Sequence, residues 1–412
     1  MRIPSFLLAL FLLAGCASGA MPEVLPEASG ERTPLILISI DGMRHDYFDR
    51  DDADTPTLDA MVASGVRAES LVPSYPTKTF PNHYTLVTGL HPEQHGIVGN
   101  TMLDPTMGDS RGDTARFSLG NRDAVTDGRW WGGEPIWVTA ENAGIRTGTV
   151  SWPGSEAEIL GVRPTDWLVY DGDRTYDSRI DTALEWIDAG AGFVTLYFEG
   201  VDSQGHRHGP LAPETAAALE GVDAALARLM DGLRQRQIAA NVVVVSDHGM
   251  TPVHTPIYLD DVLDLDAETE AVIWGEAAGV WPSPEADVDA MVARIDALDH
   301  VSATRREDVP ERFVHRDHHR IPPVVVMPEA GYTISSRGYV ERRGMPSGGA
   351  HGYDNAHPDM GGVFVASGPA FRSGETTGPL AAVDVVGILA QALGIEAAEN
   401  AGDPDAPGRV LR

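Results

Sequence analysis

Three polar clusters in this chain each follow directly on an apolar run. Ile38-Ser39-Ile40 leads into Asp41-Gly42, and Leu196-Tyr197-Phe198 leads into Glu199-Gly200-Val201-Asp202-Ser203-Gln204-Gly205-His206. Val242 to Val245 leads into Ser246-Asp247-His248-Gly249. Carboxylate oxygen and imidazole nitrogen are donors that suit zinc. Asp202 and His206 are four apart, the reach of one helical turn. Asp247 and His248 are neighbours, whose side chains point apart unless the backbone twists sharply; Gly249 permits such a twist. His351-Gly352 is a further candidate, placed before the apolar run that begins at Val363. One Asp after a strand is usually a turn or capping residue. Three such clusters and a Gly-flanked His in one chain point to bound metal.

Between the first two clusters lies Tyr75-Pro76-Thr77-Lys78-Thr79-Phe80-Pro81-Asn82-His83-Tyr84. Pro81 suits an early helical position, which puts Thr79 at or just before a helix N-terminus. There the dipole and unpaired N–H groups favour an alkoxide and an incoming phosphate. Metal is the means of activating so weak a nucleophile as a hydroxyl. The local pattern is equally that of a helix cap.

These residues need a scaffold that brings them together. Short apolar runs alternating with helical patterns predict an α/β fold around a mostly parallel sheet. Strands are expected at Leu35 to Ile40, Phe193 to Phe198, Asn241 to Val245 and Val363 to Ala366. Helices are expected at Thr57 to Ser64, closed by Gly65, at Glu214 to Arg236, and at Val383 to Leu393, stopped by Gly394. In such sheets ligands bind beyond the carboxyl ends of the strands, so the three clusters aim at one crevice. Residues 256–345 break the rhythm, with a strand-like piece at Ala271 to Trp274 and a helical piece at Glu285 to Leu298. They read as a small α+β insertion or lid.

The Thr79 block, with Thr-Gly-Leu-His-Pro-Glu-Gln-His-Gly-Ile-Val-Gly-Asn after it, resembles the nucleotide pyrophosphatase/phosphodiesterase family of the alkaline-phosphatase superfamily. The resemblance continues through Trp152-Pro153-Gly154-Ser155, Asp202 to His206, Ser246 to Met250, Arg320-Ile321-Pro322-Pro323 and His351 to Asn355. It spans roughly residues 34–400. It implies an alkaline-phosphatase-like fold and two Zn2+ ions. Asp41, Thr79, Asp247 and His248 would hold one ion, and Asp202, His206 and His351 the other. Thr79 would be the nucleophile, Asn100 the donor to a phosphate oxygen, and Phe80 and Tyr170 an aromatic pair around a nucleobase. The segment around Tyr170 is only loosely similar to the family, and Glu199-Gly200-Val201 departs from its usual acidic pair and Pro. The implied activity is hydrolysis of phosphodiester or pyrophosphate bonds in nucleotides, giving nucleoside 5'-monophosphates through a phospho-threonine intermediate. Other phosphate esters on the same metal pair, or a binding lipoprotein without catalysis, are the competing readings.

The chain has 412 residues and a formal charge of −31, from 30 Lys and Arg against 61 Asp and Glu. That balance excludes long nucleic acid as a partner, which needs clustered cations, but not a small phosphate ester. The N-terminus reads as an export signal over residues 1–15: Arg2, then apolar Phe6 to Leu13, then small residues. Leu13-Ala14-Gly15-Cys16 resembles the bacterial lipobox, which implies a lipid on Cys16 and, with Ala17 following, an outer-membrane location. Residues 16–33 read as a flexible tether and 34–412 as the catalytic domain. Cys16 is the single cysteine, so disulfides and cysteine chemistry are excluded from the domain.

Overall fold

Alternation within the first strand decides the layers. In Leu35–Ile40, Leu35 and Leu37 enter one apolar core while Ile36, Ile38 and Ile40 enter another. A strand with every residue buried is one covered on both faces, as parallel central strands are. In this computed structural model the described residues are 33–50, 52–108 and 114–412. Cys16, the signal segment and all of the tether but its last residue lie outside them.

The main sheet has eight strands. Their order is Glu375–Thr377, Val66–Ala68, Phe364–Ser367, Asn241–Val245, Leu35–Ile40, Phe193–Phe198, Thr147–Val150 and Asp166–Leu168. The last five in that order run parallel, and Phe364–Ser367 pairs antiparallel with both of its neighbours. One core packs this sheet against the helix Pro213–Gln235, through Leu219, Val222, Leu226 and Leu229. The other packs it against the helices Ile136–Asn142 and Val385–Leu393, through Trp137, Val386 and Leu389. Each fully buried Leu or Ile there contributes about 1.5–3 kcal/mol of transfer free energy.

Register places the chemistry. Ile40 pairs with Phe198, and Ser39 pairs with both Tyr197 and Val245. The three strands therefore end at the same level, and the chain that follows each emerges at one edge. Helix ends differ from the sequence expectation by one to two residues: Pro56–Ser64, Pro213–Gln235 and, after a 3-10 turn at Ala382–Asp384, Val385–Leu393.

Within 256–345 the chain forms a second sheet of four antiparallel strands. Their order is Thr269–Ile273, Ala278–Pro282, Val324–Pro328 and Val301–Arg305. The helix Val288–Asp296 packs on it through Met291 and Ile295. Where the chain leaves and returns, Thr255–Tyr258 pairs in parallel with Tyr332–Ser335.

Candidate active site

Thr79 is the first residue of the helix Thr79–Thr88, preceded by Lys78 in extended conformation. Its hydroxyl caps no helix N–H; it lies 3.4 Å from Nε2 of His248. That imidazole Nε2 is also 3.4 Å from Asp41 Oδ1 and 3.0 Å from Asp247 Oδ2. Thr79, Asp41, Asp247 and His248 are all buried. A second group meets beside them. His206 Nε2 and His351 Nε2 are 3.1 Å apart, and Asp202 Oδ1 is 3.4 Å from the first and 3.6 Å from the second. The rings of His248 and His351 stack at 3.5 Å, joining the groups. The six Asp and His side chains singled out from the sequence thus meet in one cluster, which the Thr79 hydroxyl joins through His248.

Local structure explains each placement. Asp202 and His206 share one face of the helix Gly200–His208. Gly42 adopts a φ of +70°, and a Cβ there would come within 3.0 Å of Asp202. That close approach, with Asp202 N–H donating to the Asp41 carbonyl at 3.0 Å, sets the two groups side by side. Gly249 matters for a different reason from the one expected. Its φ is not positive; instead a Cβ would sit 2.1 Å from the carbonyl oxygen of Asp359. Arg179, fully buried, donates to both oxygens of Glu199 at 2.6 and 2.8 Å and to the Tyr197 carbonyl at 2.7 Å, fixing the turn before Asp202.

The donor set fits bound cations. Nδ1 of His206, His248 and His351 lies 2.8, 2.9 and 2.8 Å from the carbonyls of Gly349, Gly249 and Thr77. A carbonyl only accepts, so each Nδ1 carries the proton and each Nε2 turns a lone pair inward. Two facing lone pairs at 3.1 Å are repulsive without a cation between them. Asp41 Oδ1, Asp202 Oδ1 and Asp247 Oδ2 are buried with no aligned hydrogen-bond donor, a costly arrangement unless a positive charge satisfies them. Burial, with Asp247 and Asp202 close by, pushes the Asp41 carboxyl well above the usual range. Burial acts on Asp247 in the same direction but is outweighed by His248 and His83, which hold it low. Burial, with His248, Lys78 and His206 near, drives His351 well below its ordinary value and so keeps it neutral.

Two compact donor triads, Asp41/His83/Asp247 and Asp202/His248/His351, fall within 4.8 Å internally. His83 was given no role from the sequence. Its Nδ1 donates to the Thr79 carbonyl at 2.9 Å, and its Nε2 lies 2.8 Å from the Ser39 hydroxyl. With Nδ1 protonated and only 3.2 Å from Asp247 Oδ2, His83 serves as an orienting donor, not as a ligand. Its spacing of four from Thr79 was the available signal. Tyr197 acts likewise, donating to Asp41 Oδ2 at 2.6 Å.

Asn100 accepts the Phe80 N–H through Oδ1 at 2.9 Å, which leaves its amide hydrogens for a ligand beside Thr79. Phe80 packs on Phe117 and Trp131, with ring centroids 5.7 and 5.9 Å away. Tyr170 is 45% exposed and stands 6.1 Å from the Tyr197 ring. Phe80 and Tyr170 make no direct ring contact, and a pair that sandwiches a base must leave room for it.

Comparison with known proteins identifies relatives of this chain and of its fold. The family model for type I phosphodiesterase / nucleotide pyrophosphatase covers residues 35–354. Mouse ectonucleotide pyrophosphatase/phosphodiesterase family member 1 is 33% identical over 414 residues, 96% of this chain; the match takes in 44% of the mouse protein, so the chain spans under half its length. A pyrophosphatase/phosphodiesterase of Schizosaccharomyces pombe, itself uncharacterized, is 34% identical over 90% of this chain and 79% of its own. The solved structure of murine ectonucleotide pyrophosphatase/phosphodiesterase 5 superposes with a TM-score of 0.84 at 30% identity, covering 92% of this chain and all of that one. An inactive form of that murine protein, in complex with AMP, superposes equally well. With a family model matched over most of its length and the same α/β architecture, the chain belongs to the type I phosphodiesterase / nucleotide pyrophosphatase family, within the alkaline-phosphatase superfamily.

Proposed function

We propose that this protein is a two-zinc phosphodiesterase that cleaves phosphodiester or pyrophosphate bonds of nucleotides and releases nucleoside 5'-monophosphates. The observation that carries this reading is the meeting of two donor groups, with three unsatisfied buried carboxylate oxygens, at the hydroxyl of Thr79. Asp41, Asp247, His248 and Thr79 would hold one ion, and Asp202, His206 and His351 the other. The ions would supply Lewis acidity, stabilising the alkoxide form of Thr79 and the charge on the phosphoryl oxygens. Thr79 Oγ1 attacks phosphorus in line, the P–O bond to the leaving group breaks, and a phospho-threonine ester forms. Water then releases the monophosphate and restores the hydroxyl. Asn100 donates to a non-bridging oxygen. Phe80 and Tyr170 offer faces for the base of the transferred nucleotide.

Diester specificity has a physical reason. Lys78, the cation next to Thr79, is already paired with Glu276 at 2.7 Å, which leaves it poorly suited to the second charge of a monoester. We further propose that residues 256–345 act as a lid over the main sheet, and that Cys16 carries a lipid anchoring the exported enzyme to the outer membrane. Among the described residues no helix is long and apolar enough to cross a membrane.

The test is a product-resolved assay of purified protein with ATP, a dinucleotide, a monophosphate ester and a lysophospholipid, with metal content measured in parallel. Nucleoside monophosphate should appear from the first two, and chelation should abolish it. Thr79→Ala should lower turnover by about 10³-fold or more. Preference for the monoester, or full activity in Thr79→Ala, would overturn the assignment.

A further inference from the structure

In-line displacement puts the leaving group opposite the attacking oxygen. In the two-ion reading proposed above, Thr79 belongs with Asp41, Asp247 and His248, its Oγ1 3.4 Å from His248 Nε2, so the leaving group departs on the side of Asp202, His206 and His351. The site opens at His206, whose side chain is 42% exposed, while those of His351 and His248 are buried. His206 forms one end of a groove of about 690 Å³ that continues between the hairpin turn at Trp274 to Glu276 and the helix Arg337–Arg343. The volume is that of a site for a whole small-molecule moiety.

The groove's walls have a distinct chemistry. Trp274 and Tyr339 line it and are 44% and 54% exposed, so both present ring surface to a ligand. Arg342 and Arg343 end the helix beside them, exposed. In a chain of net charge −31, most arginines are tied to carboxylates; among the described residues these two form no ion pair. The single acidic residue lining the groove, Glu276, is neutralised by Lys78. The wall is also firmly placed: Gly275 exchanges backbone hydrogen bonds of 3.0 and 3.2 Å with Ile334.

We propose that this groove is the subsite for the leaving half of the substrate, and that it selects leaving groups carrying both an aromatic ring and negative charge. Trp274 and Tyr339 supply ring faces for stacking, and Arg342 and Arg343 pair with phosphate oxygens. The inference rests on the phosphodiesterase reading and adds to it the residues that grade leaving groups. It places specificity for the departing half in the 270s hairpin and the 337–343 helix, apart from Phe80 and Tyr170.

Two substrates with the same transferred adenylate separate the possibilities: the methyl ester of 5'-AMP, whose leaving group carries neither ring nor phosphate, and diadenosine diphosphate, whose leaving group is AMP. In Trp274→Ala and in the double variant Arg342→Ala/Arg343→Ala, kcat/KM for diadenosine diphosphate should fall by about tenfold or more, while that for the methyl ester stays within about twofold. The methyl ester reports that the variants are folded and metal-loaded. Equal losses on both substrates, or no loss on the dinucleotide, would overturn the subsite and leave the phosphodiesterase reading intact. Failure of the wild-type protein to turn over either substrate would sink that reading, and the subsite with it.

Discussion

Metal-ligand candidates show in a sequence when they stand at the ends of apolar runs, because residue type and position can both be read there. Asp41, Asp202 and Asp247 were legible in this way. His83 was not, since a histidine inside a helix is more often a packed side chain than an orienting one. Its hydrogen bond to the Thr79 carbonyl and its closeness to Asp247 now predict a measurable role. His83→Ala should lower kcat by about 10- to 100-fold and weaken metal affinity by a similar factor, as losses behind a metal site do. Chelator competition measures the affinity directly; unchanged metal affinity together with unchanged kcat would remove His83 from the site. Tyr170 shows the opposite case. The family resemblance pairs it with Phe80 around a base, and it stands exposed beside Tyr197, but sequence spacing could not say how far apart the two rings would lie.

At the scale of elements, the strands of the main sheet were readable because central parallel strands are continuous apolar runs. The antiparallel direction of Phe364–Ser367 was not, because direction depends on the path of the chain and not on composition. The Lys78–Glu276 pair belongs to this scale, since it ties the hairpin turn of the second sheet to the turn that carries the nucleophile. Glu276 also accepts from the Thr333 hydroxyl at 2.8 Å. Glu276→Ala should leave a largely buried ammonium without its partner at a cost of about 2 kcal/mol, and so lower Tm by a few degrees. Thermal unfolding of the variant tests this; a Tm equal to wild type would show that the pair contributes nothing to holding the two elements together.

At the scale of the whole molecule, buried histidines away from the metal site make the fold sensitive to acid. Burial pushes His95 and His315 down to about 3 from an ordinary 6.5. The unfolded chain therefore binds protons that the folded chain refuses. Their contribution is fully present above the ordinary histidine range and is lost as pH falls through it. Each should remove about 1.4 kcal/mol of stability per pH unit between roughly pH 6 and pH 4. Chemical denaturation of the metal-loaded protein across that window measures the slope, and His315→Gln should make it shallower. An unchanged slope would show that His315 takes up a proton in the folded state.

Donor types, the apolar strands before them and the threonine next to a helix-starting proline are local features. The sequence by itself therefore determined the α/β class, the metal-ligand candidates and the family. Only the tertiary structure decided which imidazole nitrogen faces inward, that His83 orients rather than binds, that Gly249 is needed for a close backbone contact, and where the site opens. Each of these depends on a distance or direction between residues tens to hundreds of positions apart, which spacing along the chain does not encode.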